Sequence, residues 1–143
     1  MSLATPRCRR YFILIIDDAT RYMWAVLLDS KAAAADAIKR HQVAVEKEYS
    51  HKLWVLHTDN GGEFTAAELA AYCVDEGIQR HYSAPYSPQQ NGMVERRNKT
   101  VVAAARALLK QRGMPAIYWG EAVMTVVHLL NCSPTSALDG KTP

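Results

Sequence analysis

The spacing of hydrophobic positions changes several times along the 143 residues, and each change marks an element. Tyr11-Phe12-Ile13-Leu14-Ile15-Ile16 is an unbroken apolar, β-branched run, and Tyr22-Met23-Trp24-Ala25-Val26-Leu27-Leu28 is another. Asp17-Asp18-Ala19-Thr20-Arg21 between them has turn chemistry, so the pair reads as an antiparallel hairpin. Ser30 then offers an N-cap to an Ala-rich stretch, 31 to about 48, in which Ala34, Ile38, His41 and Val45 recur at helical spacing. Leu53-Trp54-Val55-Leu56 reads as a short strand ending at His57-Thr58-Asp59. Thr65-Ala66-Ala67-Glu68 matches a capping box, and Gly77 suits the left-handed position that ends the helix it opens. Ile78 to Tyr82 returns as a strand. Residues 83 to 92, with two prolines and a glycine, read as a loop. From Met93 to about Arg112 the pattern is helical, with Val94, Val101, Ala105 and Leu108 on one face. A last helix, roughly 116 to 131, follows Pro115.

The order strand, strand, helix, strand, helix, strand, helix, helix predicts an α/β fold with a mixed sheet flanked by helices. At 143 residues and 49% hydrophobic content, the chain suits one domain with one core. No apolar run approaches the roughly 18 residues of a membrane span, so no membrane partner is expected. Met1-Ser2-Leu3 lacks the pattern of a secretion signal and fits residues left by cloning. Cys8, Cys73 and Cys132 are widely spaced and form no Cys-x-x-Cys, which points to a reducing compartment and away from a zinc site.

Charge changes the picture more than composition does. The net charge is only +3, but residues 95 to 112 hold Arg96, Arg97, Lys99, Arg106, Lys110 and Arg112 against Glu95 alone. A solvated helix face is the ordinary explanation. Beside candidate metal ligands, a phosphate-binding face is the better one.

Those candidates are Asp59, in His57-Thr58-Asp59-Asn60-Gly61-Gly62-Glu63-Phe64, and Glu95, in Asn91-Gly92-Met93-Val94-Glu95-Arg96-Arg97, with 35 residues between them. Alone, each has a plain structural reading, a turn for Asp59 and a favourable helix-dipole charge for Glu95. Phosphodiester transfer needs an attacking oxygen, a leaving oxygen and neutralised phosphate charge, which two divalent ions held by hard oxygen ligands supply. Two carboxylates about 4 Å apart repel by about 4 kcal/mol at an effective dielectric of 20, so such a cluster calls for a cation. Asp59 and Glu95 are therefore read as ligands of Mg²⁺ or Mn²⁺, two ions for such a transfer. Lys99, one helical turn after Glu95, is placed either to meet a scissile phosphate or to pair with Glu95. Asn60 is placed to orient a metal-bound water or to hold the turn, and His57 reads as structural.

These two acidic segments, with Ala84-Pro85-Tyr86-Ser87-Pro88-Gln89-Gln90-Asn91-Gly92 between them, resemble the catalytic core of retroviral and retrotransposon integrases, closest to the copia type. The resemblance implies a ribonuclease H-like fold and metal-dependent processing and joining of DNA 3′ ends. It implies DNA contacts from Tyr86 and Asn91, with Lys99 and Arg96 on the DNA and Arg106 in support, since Val102 stands where a second basic residue is often found. It also implies a nuclear site of action with a cytoplasmic stage, and a homodimer. The family's first strand and first catalytic Asp would precede Tyr11, and Asp17 and Asp18 fill a different position. The chain is thus expected to be a core truncated at both ends, lacking one ligand and inactive by itself. Two other readings share these features: a related transposase or nuclease, and a domesticated DNA-binding and dimerisation module.

Overall fold

The computed structural model describes residues 4–58, 67–82 and 88–143, the side chains of 88–91 excepted. In chain order the elements are β1 (Tyr11–Ile16), β2 (Met23–Leu28), α1 (Ala34–Tyr49), β3 (Val55–Thr58), α2 (Ala67–Asp75), β4 (Gln79–Tyr82), α3 (Pro88–Gln111) and α4 (Trp119–Asn131). They fall into two compact units, one of residues 1–30 with 93–143 and one of residues 31–92.

In the first unit β1 and β2 form the antiparallel hairpin, in register from Tyr11 opposite Leu28 to Ile16 opposite Met23. Alternation puts Phe12, Leu14 and Ile16 with Met23, Ala25 and Leu27 on one face. That face packs on a core of Val101 and Ala105 from α3 and Trp119, Val123, Val126 and Val127 from α4. The hairpin turn is held by Asp17, whose carboxylate accepts the Thr20 N–H at 2.8 Å and the Thr20 hydroxyl at 2.7 Å. Arg21 donates to Asp18 and also touches the Met93 sulfur, tying the turn to α3. Gly113, at φ +62°, ends α3: its N–H reaches the Lys110 carbonyl and the Met114 N–H the Leu109 carbonyl, a Schellman closure.

In the second unit β3 and β4 run parallel, Val55 opposite Gln79 through Thr58 opposite Tyr82, with α2 in the crossover that a parallel pair requires. Leu69, Cys73 and Ile78 are its buried centre, with Ala35 and Ile38 from α1 against them. A polar chain fixes the entry to β3. The Tyr72 hydroxyl donates to Gln42, the Gln42 amide donates to Glu46, and the Glu46 carboxylate accepts the Leu53 N–H at 2.7 Å. Gly77, at φ +72°, ends α2 as its position in the sequence implies, with the Ile78 N–H on the Cys73 carbonyl.

Four expectations are corrected. The strand expected at 53–56 lies at Val55–Thr58, because Glu46 holds the Leu53 amide and Trp54 is 79% exposed. The stretch from 31 opens as a 3-10 turn, Lys31–Ala33, so the α-helix proper begins at Ala34, after an Ala33 that has helical dihedrals and no side-chain cap. The third long helix starts at Pro88, not Met93, proline being suited to a first helical position, so Asn91 is helical and not in a loop. In place of one mixed sheet, the described residues form two two-stranded ladders, β1 with β2 and β3 with β4. The capping-box residue Thr65 lies outside the described residues, and Glu68 instead pairs with Lys39 at 2.7 Å.

Candidate nucleic-acid interface

The 3.6-residue period of α3 decides which of its charges act together. Val101 and Ala105 are fully buried, which fixes the inward face. Glu95, Lys99, Val102 and Arg106 follow at four, three and four residues, one stripe on a neighbouring face. Glu95 and Lys99 are exposed, and among the described residues no hydrogen bond or ion pair engages the Glu95 carboxylate. The intrahelical Glu95–Lys99 pair, one of the two readings of Lys99, is therefore not formed. Lys99 instead lines an open cleft of about 490 Å³ with Phe12, Asn98, Val102, Ala103 and Arg106. Val102 supplies part of its apolar wall.

Arg96 is exposed on α3, its carbonyl accepting the Thr100 hydroxyl at 2.9 Å. Arg97 turns the other way, its guanidinium reaching the Thr135 hydroxyl at 3.4 Å. The basic segment is thus divided: Arg97 braces the C-terminal turn, while Arg96, Lys99 and Arg106 stay outward.

Asp59, Asn60 and Tyr86 lie outside the described residues, and Asn91 is placed by its backbone alone, in the first turns of α3. The approach to Asp59 is described. Thr58 is 9% exposed, and its hydroxyl accepts from the Arg80 guanidinium at 3.2 Å. Arg80 also lies over the Tyr82 ring at 4.6 Å, so a cation and an aromatic on β4 brace the residue before Asp59. On the other face of the same strand pair the His57 and His81 rings meet edge to face at 4.9 Å. That cross-strand contact supports the structural reading of His57. Arg80 was not singled out by the sequence; its signal was the alternation Arg80, Tyr82 opposite Leu56, Thr58, visible only once the pairing is known.

Among the described residues no group of three or more His, Cys, Asp or Glu side chains is placed to hold a metal ion. Asp17 and Asp18 are engaged in the hairpin turn. No described helix is long and apolar enough to cross a membrane.

Residues 1–88 match the integrase core domain family. The whole chain is 39% identical over 143 residues to the retrovirus-related Pol polyprotein from transposon TNT 1-94 of Nicotiana tabacum, of which it covers 11%. It is 33% identical over 134 residues to the Pol polyprotein from transposon RE2 of Arabidopsis thaliana, 94% of this chain and 9% of that protein. It is also 32% identical over 128 residues to the Pro-Pol polyprotein of simian foamy virus type 3, 86% of this chain and 10% of that protein. The chain therefore spans about a tenth of the length of these relatives.

Proposed function

The chain belongs to the integrase core domain family, and from that premise we propose that it is the DNA-joining core of a copia-type retrotransposon polyprotein. The observation that carries the reading is the outward stripe of α3, where Glu95, its carboxylate met by no hydrogen bond or ion pair among the described residues, stands one turn from Lys99 and three turns from Arg106. A carboxylate beside outward cations suits a site that meets both a metal and phosphate.

Asp59 and Glu95 would hold the metal, Mg²⁺ or Mn²⁺, their hard oxygens being the donor type such ions take. When bound, the ions supply a polarised phosphate and an activated oxygen nucleophile. The chain's own part is to hold DNA. Lys99, Arg96 and Arg106 meet backbone phosphates, Tyr86 and Asn91 meet DNA near the cut, and Asn60 steadies the surroundings of Asp59. Positioning by phosphate contacts carries little sequence information, so binding should vary more with salt than with sequence. The reading includes a ribonuclease H-like arrangement of a single core, a homodimer, and action in the nucleus after a cytoplasmic stage.

Only two carboxylates are assigned here where the resemblance calls for three, so joining by these 143 residues alone is not expected. The test uses a longer integrase preparation containing these residues, an oligonucleotide duplex bearing an element end, and Mg²⁺ or Mn²⁺. Joining should be divalent-dependent and should vanish in both Asp59→Asn and Glu95→Gln. Undiminished joining by either variant refutes the assignment. DNA binding with no joining by the parent would favour a DNA-binding module.

A further inference from the structure

β3 and β4 each carry a histidine at the same level of their ladder. His57 and His81 are partners in the parallel register, so backbone pairing sets them one strand spacing apart and sends both side chains to one face. Both are exposed, and their ring centres lie 4.9 Å apart. Among the described residues no hydrogen bond engages either ring. The other histidines are differently placed. His51 has its Nδ1 2.8 Å from the Tyr49 carbonyl, His41 is partly buried on α1, and His128 has the Cys132 sulfur 3.9 Å from its Nε2.

The cation of this strand pair lies on the opposite face, where Arg80 reaches Thr58 and covers the Tyr82 ring. On the histidines' own face the preceding pair, Val55 and Gln79, is uncharged. Ring spacing decides what the two imidazoles can hold. A nitrogen that binds a transition ion stands about 2.0–2.1 Å from it, which puts its ring centre roughly 3.2 Å away. Angles at the metal between a right angle and the tetrahedral one then set two ring centres roughly 4.5 to 5.2 Å apart. The observed 4.9 Å falls inside that interval. The ring planes stand at 83°, so closing on one ion takes a turn of a ring about χ2, a broad torsion, and no movement of the backbone.

We propose that His57 and His81 form a two-imidazole site for one divalent transition ion of the Zn²⁺, Ni²⁺ or Cu²⁺ class, with water in the remaining positions. Imidazole nitrogen selects these ions over Mg²⁺ and Mn²⁺, which take hard oxygen. The ion ties β3 to β4 at the level just before Thr58, across a register that the backbone has already set. The site uses none of the residues assigned to the joining reaction, so the two readings fail separately.

The test is titration of the untagged, isotope-labelled chain with zinc chloride near neutral pH, followed by nitrogen–proton correlation spectra of the histidine rings. One equivalent should shift the rings of His57 and His81 together, ahead of those of His41, His51 and His128. His57→Gln and His81→Gln should each weaken binding by about tenfold or more, since either ring alone loses the effective concentration that its neighbour supplies. Combining the two should cost little more than either. Both positions are exposed, so the amide spectra of the variants should match the parent's. His128→Gln and Glu95→Gln should leave the affinity unchanged, and excess Mg²⁺ should not displace the zinc. The proposal is overturned if zinc shifts the His128 ring first, if it saturates at half an equivalent by joining two copies, or if His57→Gln binds as tightly as the parent. Displacement by Mg²⁺ overturns it equally.

Discussion

The side-chain amide of Asn131 reproduces a missing strand for Met23. Its Oδ1 accepts the Met23 N–H at 3.0 Å and its Nδ2 donates to the Met23 carbonyl at 2.8 Å, and both residues are buried. The last residue of α4 thus closes the outer edge of β2, fixing helix to sheet and covering two backbone groups that water cannot reach.

Asn131→Leu keeps a similar volume and strands both Met23 groups. Each buried unsatisfied group costs about 1–3 kcal/mol, so a loss of about 2–6 kcal/mol is expected, measured as the shift in urea unfolding midpoint. Asn131→Asp keeps the acceptor, loses the donor and brings a charge into a buried position, so it should also destabilise. A shift below 1 kcal/mol for Asn131→Leu, with the m-value unchanged, would show that the amide is dispensable.

That relationship marks where the sequence was legible and where it was not. The runs Tyr11–Ile16 and Met23–Leu28 announced the hairpin, because unbroken β-branched runs around a turn have few other uses. The burial of Val101 and Ala105 followed from helical periodicity in the same way. Asn131 was invisible: one polar residue at a helix end says nothing of the strand 108 residues away whose backbone it completes. Pro88 was misread because proline punctuates loops and also opens helices, and only the chain that follows decides between them. The start of β3 depended on Glu46 reaching Leu53, a contact that strand propensity does not contain. That Glu95 and Lys99 share one stripe of a helix was legible through their four-residue spacing. The cleft beside them was not, because Phe12 reaches it from the other end of the chain.

Gly120 sits where α4 meets β2. A Cβ there would lie 2.9 Å from Leu27 Cδ1 and 2.9 Å from Thr5 Cγ2, inside van der Waals contact on two sides. Alanine gains up to about 1 kcal/mol of helix propensity over glycine, but overpacking a buried contact costs about 1–3 kcal/mol, so Gly120→Ala should be net destabilising. Thr5→Ser removes the offending methyl and keeps the oxygen that accepts the Arg9 N–H at 3.1 Å. In the Gly120→Ala background it should recover part of the loss, seen as a negative coupling in a double-mutant cycle by thermal unfolding. Additive effects would mean that the two sites do not meet.

Acid should loosen the second unit by two routes of the same sign. Burial holds the His41 imidazole below its ordinary 6.5. The unfolded chain therefore takes up that proton first, and stability falls once pH drops below about 6.5. Glu46 is held below the usual carboxylate range, first by the Leu53 amide and then by the Gln42 amide. Its contribution is present above its unfolded value and is lost as pH falls through the folded one. Urea midpoints should thus be level between about pH 8 and about pH 7 and decline from about pH 6.5 downward. His41→Gln should remove the first part of the decline and leave the lower part, which belongs to the carboxylates. An unchanged profile in His41→Gln would dismiss the histidine.

Cysteine reactivity offers a local check of that loosening. Cys8 and Cys132 are exposed, whereas Cys73 is 1% exposed and burial pushes its thiol up. The thiolate is the reactive form, so iodoacetamide at neutral pH should label Cys8 and Cys132 and spare Cys73 until the second unit opens. Mass spectrometry reads the site directly. Labelling of Cys73 at the rate of the other two under native conditions would contradict the packing of Leu69, Cys73 and Ile78.

Lys99 separates the two readings of the α3 stripe. Were it only a partner for Glu95, its removal would cost about 0.2–0.5 kcal/mol of helix stability and leave DNA affinity alone. No such pair is formed, and Lys99 faces the cleft with Arg106. If it neutralises one phosphate, Lys99→Ala should weaken duplex binding about equally for unrelated sequences. The slope of log affinity against log salt should then shrink by about 0.9, one counterion's worth for B-form DNA. Fluorescence anisotropy across a salt series measures both. Lys99→Arg should keep the slope, since it keeps the charge. An unchanged slope in Lys99→Ala would take this residue off the DNA and leave Arg96 and Arg106 as the phosphate contacts of the helix.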